Sequence, residues 1–476
     1  MRVRIVLTSL IISLANGTSA VASYAIYVGK NLTRDGSVFL GGYGDEPSSH
    51  WLEIVPRRTH PPGSTLTVGA TPESRYPGEL IQIPQAPITF RYLTMNYSYF
   101  AGFPAPLTNG GLNEHGVAAR DVSSGSRIEL REMTPNPQRG PNYSDLSRIV
   151  MERARSAREA VRIVGDLIGE YGFSTYGGNS HLFADADEGW ILINFAGGQG
   201  LWIAERLGPD DIRVSRGGYI HEVPLNYREH PGFMGSANLI SFAVERGWFD
   251  PDSGEPFHVG KVYGHSAEKA AAVQMIEDRL RARAGRIGLP DMIEVVRTPE
   301  LTRDSAGYGQ VAHLRKGLHQ ELETLWVAPA PPVAAPFVPY RIGVRDVPPE
   351  FKRHRYLTAG EATRHIRDHH MGPESTRYAF RACKRLFYLA KSHEEKFLPE
   401  VVEALTAFES RLIDEQAAVE GIALALLQAG ERVLAQDALT YYSRTEALNG
   451  LRLVEALSEG LEARTKVLFG IRSADP

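Results

Sequence analysis

The chain is 476 residues long, 43% hydrophobic and 23% charged, with a formal net charge of −4 at pH 7. That length exceeds one small core and predicts two or three domains, or one large sheet-based unit with an appendage. The mildly acidic balance lacks the basic footprint of a nucleic-acid or anionic-lipid binder, so neither is an expected partner. The single cysteine, Cys383, rules out an intrachain disulfide. It sits in a helical pattern with Phe380, Leu386 and Phe387 and reads as a buried structural thiol.

Residues 1–22 have the three parts of a secretory leader: basic Arg2 and Arg4, an apolar run from Ile5 to Ala15, and a small-residue end at Ala20-Val21-Ala22. The apolar run is too short to span a bilayer as a helix, and no later stretch reaches ~18 apolar residues. The expectation is a secreted or periplasmic protein with no membrane span. Cleavage after Ala22 makes Ser23 the first residue, at the head of the strand-like stretch Tyr24 to Val28. A serine with a free α-amine carries a nucleophile and a base in one residue. Asn-x-Ser/Thr sequons stand at Asn31, Asn96 and Asn142.

Beyond Val28, Asp35-Gly36 is a hairpin turn signal. Val38 to Leu40 then lead into Gly41-Gly42-Tyr43-Gly44-Asp45, followed by Ser49 and His50. In a hairpin the end of the second strand returns to the start of the first, which brings Asp45 near Ser23. Further strands are expected at Trp51 to Val55 and Thr89 to Tyr97, with Pro- and Gly-rich connection over 56–88 between them. Gly110 to Ala119 reads as a tight turn feeding a strand. Ser144 to Tyr171 is the first clear helix region, with Ser144 and Asp145 able to cap one start. Short strands follow at His181 to Ala184, Gly189 to Phe195, Leu201 to Arg206 and Ile212 to Ser215, parted by glycine turns. Helices are expected at Asn238 to Glu245 and Ala267 to Arg283, late strands at Gln310 to Leu314 and Glu323 to Ala328, and a Pro/Ala-rich crossing over Ala328 to Pro339. From Gly360 the pattern is helical, over 361–370, 375–392, 396–429 and 431–467.

Two chemistries compete. In the first, Ser23 attacks an amide, its α-amine (ordinary pKa near ~8) takes the proton, and Asp45 orients the amine. In the second, His365 and His369, four apart with Asp368 and His370 adjacent, share a helix face as metal ligands. No Glu follows His365, so the zinc-protease pattern is missing, and a solvated charged helix end explains the cluster; no cofactor is expected. No Gly-x-Ser-x-Gly elbow supports a triad, and Gly177-Gly178, Gly197-Gly198 and Gly217-Gly218 read as sheet turns.

The stretch Ser23-Tyr24-Ala25-Ile26-Tyr27-Val28-Gly29-Lys30 followed by Asp35-Gly36-Ser37 resembles the opening of the dipeptidases typified by dipeptidase A, related to the secernins. That family opens with Cys-Thr-x-x-x-Val-Gly-Lys and then Asp-Gly-Ser. The likeness continues at Asp45, Ser49 and His50; at Gly111 to Val117; in Ala184-Asp185-Ala186-Asp187-Glu188-Gly189-Trp190; in Phe233 to Leu239; and in Leu325-Trp326-Val327-Ala328. It implies an α+β fold, the four-layer αββα sandwich of the N-terminal nucleophile hydrolases, over 23–350, with a helical region at 351–476 packed on it. It implies hydrolysis of dipeptides, small peptide substrates, with Ser23 and Asp45 catalytic and Ser49, His50 and Ser123 toward the substrate. A homo-oligomer is compatible with it. Two residues depart from the family pattern: Ser23 fills the usual cysteine slot, and Gly42 stands where many relatives carry arginine. The asparagine expected after the late strand is replaced near Arg216. The alternatives are an acylase acting on N-acyl or other linear amides, and a binding protein that kept the fold without catalysis.

Overall fold

The computed structural model describes residues 23–217, 220–264, 269–354 and 376–470. Two antiparallel sheets carry the architecture. The six-stranded sheet runs, in spatial order, Ile212–Ser215, Tyr24–Val28, Val38–Gly44, Tyr308–Leu314, Thr324–Ala328 and Val338–Arg341. The eight-stranded sheet runs Phe233–Gly235, Trp202–Leu207, Gly189–Asn194, Asn179–Ala184, Ala118–Ser123, Leu107–Asn113, Tyr92–Tyr97 and His50–Val55. The strands Val38–Gly44 and Tyr24–Val28 pack across Ala118–Ser123 and Asn179–Ala184, so the sheets stack face to face.

Side-chain alternation explains the layers. In the eight-stranded sheet Phe183, Trp190 and Leu192 point outward into a core shared with Ile149, Val150, Val161 and Val164 of two helices. Their neighbours Leu182, Ala184, Ile191 and Ile193 point inward, toward Tyr27, Leu40 and Val311 of the other sheet. Helices Tyr143–Arg153 and Ala157–Tyr171 cover the outer face of the eight-stranded sheet. Helices Ala271–Arg281 and Leu289–Arg297 lie against the strands of the six-stranded sheet. The result is the four-layer αββα order. Strand Tyr24–Val28 is buried at every position because both of its faces are covered.

The helix region expected from Ser144 to Tyr171 holds two helices, separated by an extended Ala154. The first is capped by Asn142, whose side chain accepts from the Ser144 and Asp145 backbone N–H groups while Asp145 reaches back to the Asn142 N–H. The second begins at Ser156, which accepts from Glu159 N–H, and stops at Gly172 with φ 83°. Residues 56–88, expected as connection, carry small outer ribbons: Thr65–Gly69 pairs with Leu80–Pro84, and Arg58–Thr59 pairs with Ile88–Thr89. Gly110 and Gly111, expected in a turn, lie in strand Leu107–Asn113; a Cβ on Gly111 would meet the Leu93 carbonyl at 1.9 Å. Leu289–Arg297 and Val338–Arg341 have no counterpart among the expected elements. The former is short and the latter contains Pro339, so neither gave a periodic signal. Of the sequon asparagines, Asn31 is exposed, whereas Asn96 and Asn142 are buried and hydrogen-bonded within the fold.

Three C-terminal helices, Ala379–Ser392, Glu394–Gln428 and Arg432–Phe469, pack on one another, and the last two also pack on the edge strand Val338–Arg341. The expected helix over 361–370 lies outside the described residues. Arg297 is the anchor between the layers. It is 3% exposed, donates to both carboxylate oxygens of Glu409, and places Nε 2.8 Å from the Pro332 carbonyl. Removing one partner of a buried pair strands the other charge. Arg297→Ala should therefore lower the unfolding free energy by about 3–5 kcal/mol in a denaturant titration, while R297M/E409L recovers most of it. A loss under about 1 kcal/mol would mean that the pair does not hold the helices to the core.

Candidate active site

Strands Tyr24–Val28 and Val38–Gly44 pair with Tyr24 opposite Tyr43, so the chain entering the first strand lies beside the chain leaving the second. Asp35 makes that return: its Oδ1 accepts from the Ser37 N–H at 3.1 Å and from the Ser37 hydroxyl at 2.6 Å, and Gly36 takes φ 74°. The Ser23 hydroxyl is thereby fixed by two neighbours. It accepts from the Asp45 backbone N–H at 2.9 Å and donates to Glu46 Oε1 at 3.4 Å.

Glu46 is 5% exposed. Its Oε1 also accepts from Asn109 Nδ2 at 2.6 Å, and its Oε2 lies 3.6 Å from His50 Nε2. Burial opposes its ionisation, but His50, the Arg120 guanidinium and the Asn109 amide outweigh that and hold its carboxyl below the ordinary range. Asn109 is fixed in turn by Tyr97, whose hydroxyl donates to Asn109 Oδ1 at 2.7 Å and meets the Tyr143 hydroxyl at 2.7 Å. Arg120 is fully buried, donates to the Tyr308 hydroxyl and lies with its guanidinium 4.7 Å from that ring centre. Gly44 leaves the space these groups occupy: a Cβ there would meet Glu46 Oε2 at 2.2 Å and Arg120 at 3.1 Å.

Asp45 has a different environment. Burial pushes its carboxyl up to about 6, helped by the charge of Glu46 and opposed by the Ser305 hydroxyl and the guanidiniums of Arg216 and Arg303. Its contact with Ser23 runs through its backbone N–H. Ser49 is half-buried, with its N–H on the Ser98 hydroxyl at 3.2 Å. Ser123 is half-buried at the end of its strand, opposite Asn179. His50, expected toward the substrate, is 1% exposed and lies behind Glu46, packed among Tyr97, Tyr308 and Phe380. Gly42, with φ 152°, admits no larger side chain, because a Cβ would meet the Tyr24 carbonyl at 2.2 Å. The rival cluster His365, Asp368, His369 and His370 lies outside the described residues.

Sequence reasoning passed over Glu46, Asn109, Arg120 and Asp121. Two signals were present. Glu46 and His50 are four apart, and Arg120-Asp121 places two adjacent charges inside the buried strand Ala118–Ser123. Asp121 accepts from Asn179 Nδ2 at 3.0 Å and is 3% exposed. Burial pushes its carboxyl up to about 8, against the pull of Arg120 and Asn179.

A family model described as Peptidase family C69 matches residues 22–276. Among curated relatives, a probable dipeptidase of Salmonella dublin is 31% identical over 153 residues, which is 31% of this chain and 34% of that protein. A probable dipeptidase of Latilactobacillus sakei is 24% identical over 256 residues, 52% of this chain and 50% of that protein. The matches therefore span at most about half the length of these relatives. Among solved structures, two variants of conjugated bile acid hydrolase from Clostridium perfringens cover 64% of this chain and 88% and 89% of theirs, at 13% and 11% identity and TM-scores of 0.28 and 0.29. At those scores the fold rests on the sheets and helices described above.

The raised carboxyl of Asp121 makes stability depend on pH with a definite sign. The folded chain holds this proton more tightly than the unfolded chain, whose carboxyl titrates near its ordinary 3.8. Stability therefore falls as pH rises from about 4 to about 8 and levels off above. Asp121→Asn should flatten part of that fall, with little change near pH 4 and a higher melting temperature near pH 8. Parallel slopes for wild type and variant in thermal melts would contradict it.

Proposed function

Because the chain belongs to Peptidase family C69, we propose that it hydrolyses the amide bond of small peptides, dipeptides foremost, with Ser23 as nucleophile. The observation that carries this reading is Ser23, 7% exposed at the head of the strand Tyr24–Val28, with its hydroxyl fixed by the Asp45 N–H and the Glu46 carboxylate. The names of the relatives as probable dipeptidases support the substrate class. Residues 1–22 act as an export leader, and their removal after Ala22 frees the Ser23 α-amine.

The α-amine takes the hydroxyl proton as Oγ bonds to the substrate carbonyl carbon and the carbonyl π pair moves to oxygen. Collapse of that intermediate breaks the carbon–nitrogen bond, and the proton passes to the departing amine. Water then attacks the seryl ester with the α-amine again as base, releasing the acid and restoring Ser23. Serine ionises far less readily than cysteine, so this route depends heavily on groups that orient the hydroxyl and balance the ammonium charge. Ser49 and Ser123, both half-buried, are the candidates for substrate contact.

Secreted protein should begin at Ser23 by intact mass. Ser23→Ala should reduce dipeptide turnover by roughly three orders of magnitude or more. Its stability should fall by only about 1–2 kcal/mol, the effect of leaving the Asp45 N–H without its acceptor. A mature start at another residue, or turnover retained by the alanine variant, would end this reading.

A further inference from the structure

Four groups that the sequence did not connect converge behind Ser23. Glu46 Oε1 takes both the Ser23 hydroxyl at 3.4 Å and the Asn109 amide at 2.6 Å, while Oε2 faces His50 Nε2 at 3.6 Å. The other ring nitrogen of His50 lies 2.8 Å from the Ser48 carbonyl oxygen. A carbonyl only accepts, so His50 Nδ1 carries a hydrogen. In a neutral ring Nε2 would then turn a lone pair toward the carboxylate. The pair is attractive only when one proton lies between Oε2 and Nε2. Glu46 Oε2 and His50 Nε2 are both buried and have no other hydrogen-bond partner among the described residues. Packing holds the imidazole in place: Tyr97, Tyr308 and Phe380 surround the ring, and the Tyr378 hydroxyl donates to the His50 carbonyl. Arg120 lies across the cluster with two N–H groups buried and without partners among the described residues, so its field favours a carboxylate at Glu46.

We propose that Glu46, and not Asp45, is the carboxylate that orients the Ser23 hydroxyl and balances the charge of its α-amine when that amine is protonated, with His50 and Asn109 as positioning residues behind it. This rests on the reading of Ser23 as nucleophile. Glu46 touches the reacting oxygen directly, and the α-amine is on the same residue, so one buried anion serves both groups. Asp45 contributes a backbone N–H that any residue at that position supplies. His50 acts through Glu46 by filling its second oxygen, which leaves Oε1 for Ser23 and Asn109.

The test uses the secreted, processed protein with two readouts: kcat and KM for a dipeptide, and the rate at which a fluorophosphonate probe labels Ser23, followed by intact mass. Glu46→Gln keeps the shape and removes the charge. It should lower kcat and labelling by about 30-fold or more, with KM changed by less than about threefold, because Glu46 meets the nucleophile rather than the substrate. Asp45→Asn should cost less than Glu46→Gln in both readouts. Glu46→Asp retains the charge with shorter reach and should recover part of what Glu46→Gln loses; a purely structural role gives no such rescue. If Glu46→Gln does not fold, His50→Gln provides the second variant, with an expected fall of about threefold to tenfold in kcat and labelling. If Ser23→Ala abolishes turnover while Glu46→Gln leaves it intact, or while Asp45→Asn is the more damaging, the assignment to Glu46 is overturned and the nucleophile reading survives. If Ser23→Ala retains turnover, the nucleophile reading fails and the role of Glu46 falls with it.

Discussion

The register of one hairpin governs the rest of this molecule. With Tyr24 opposite Tyr43, the residue before the first strand lies against the residues after the second, and Ser23 meets the Asp45 N–H and the Glu46 carboxylate. A slip of one residue would turn every side chain of a fully buried strand to the opposite face. Such a slip would break contacts with both neighbouring layers at once. The site therefore inherits its precision from the core: Ile26, Tyr27, Leu40 and Val311 specify the register, and the register specifies the distance from Ser23 to Glu46.

Around that hairpin the two sheets bring polar groups into a space where water does not screen them. Arg120 and Asp121 arrive from the strand Ala118–Ser123, and Glu46 from the turn after the strand Val38–Gly44. Burial acts on all three, with opposite outcomes for the two acids. Glu46 is held ionised by His50, Arg120 and Asn109, whereas Asp121 retains its proton to about 8. Two carboxyls in one buried cluster thus differ in charge because His50, Arg120 and Asn109 outweigh burial at Glu46, whereas Arg120 and Asn179 do not outweigh it at Asp121. Asp121 contributes a pH-dependent loss of stability, and Glu46 contributes a fixed negative charge beside Ser23. The Gly44 backbone makes the arrangement sterically feasible, since a side chain there would displace both Glu46 and Arg120.

The glycines and the C-terminal helices show the same division between local and distant causes. Gly42 has a backbone conformation that leaves no room for a larger side chain. The guanidiniums acting on the neighbouring Asp45 come from Arg216 and Arg303, remote in sequence. The helical region belongs to the same body as the sheets because Glu409 accepts both the Arg297 guanidinium and the Phe337 N–H. Tyr378, just before the first C-terminal helix, touches the backbone of His50 and so ties that region to the site.

Much of the fold was legible in the sequence because it rests on local signals. The hairpin followed from Asp35-Gly36 between two apolar runs, the strands from 179 to 215 from alternation broken by glycine, and the long C-terminal helices from their period. The proximity of Asp45 to Ser23 followed from hairpin geometry alone. What sequence could not supply was which side chain meets the serine hydroxyl. Glu46 is adjacent to Asp45, and only the chain's turn after Gly44 decides which of the two points inward. Asn109, Arg120 and Tyr308 reach the cluster from strands 63 to 262 residues further along, the first two across the stacked sheets and Tyr308 by pairing beside Gly44 in the same sheet. The sequence by itself determined most of the elements and the serine at the head of the first strand, because periodicity and turn chemistry act over a few residues, while the layer order came only from the family resemblance. The tertiary structure alone decided the charge state and partners of the groups around that serine, because burial and electrostatic coupling depend on what packs against them from the far side of the sandwich.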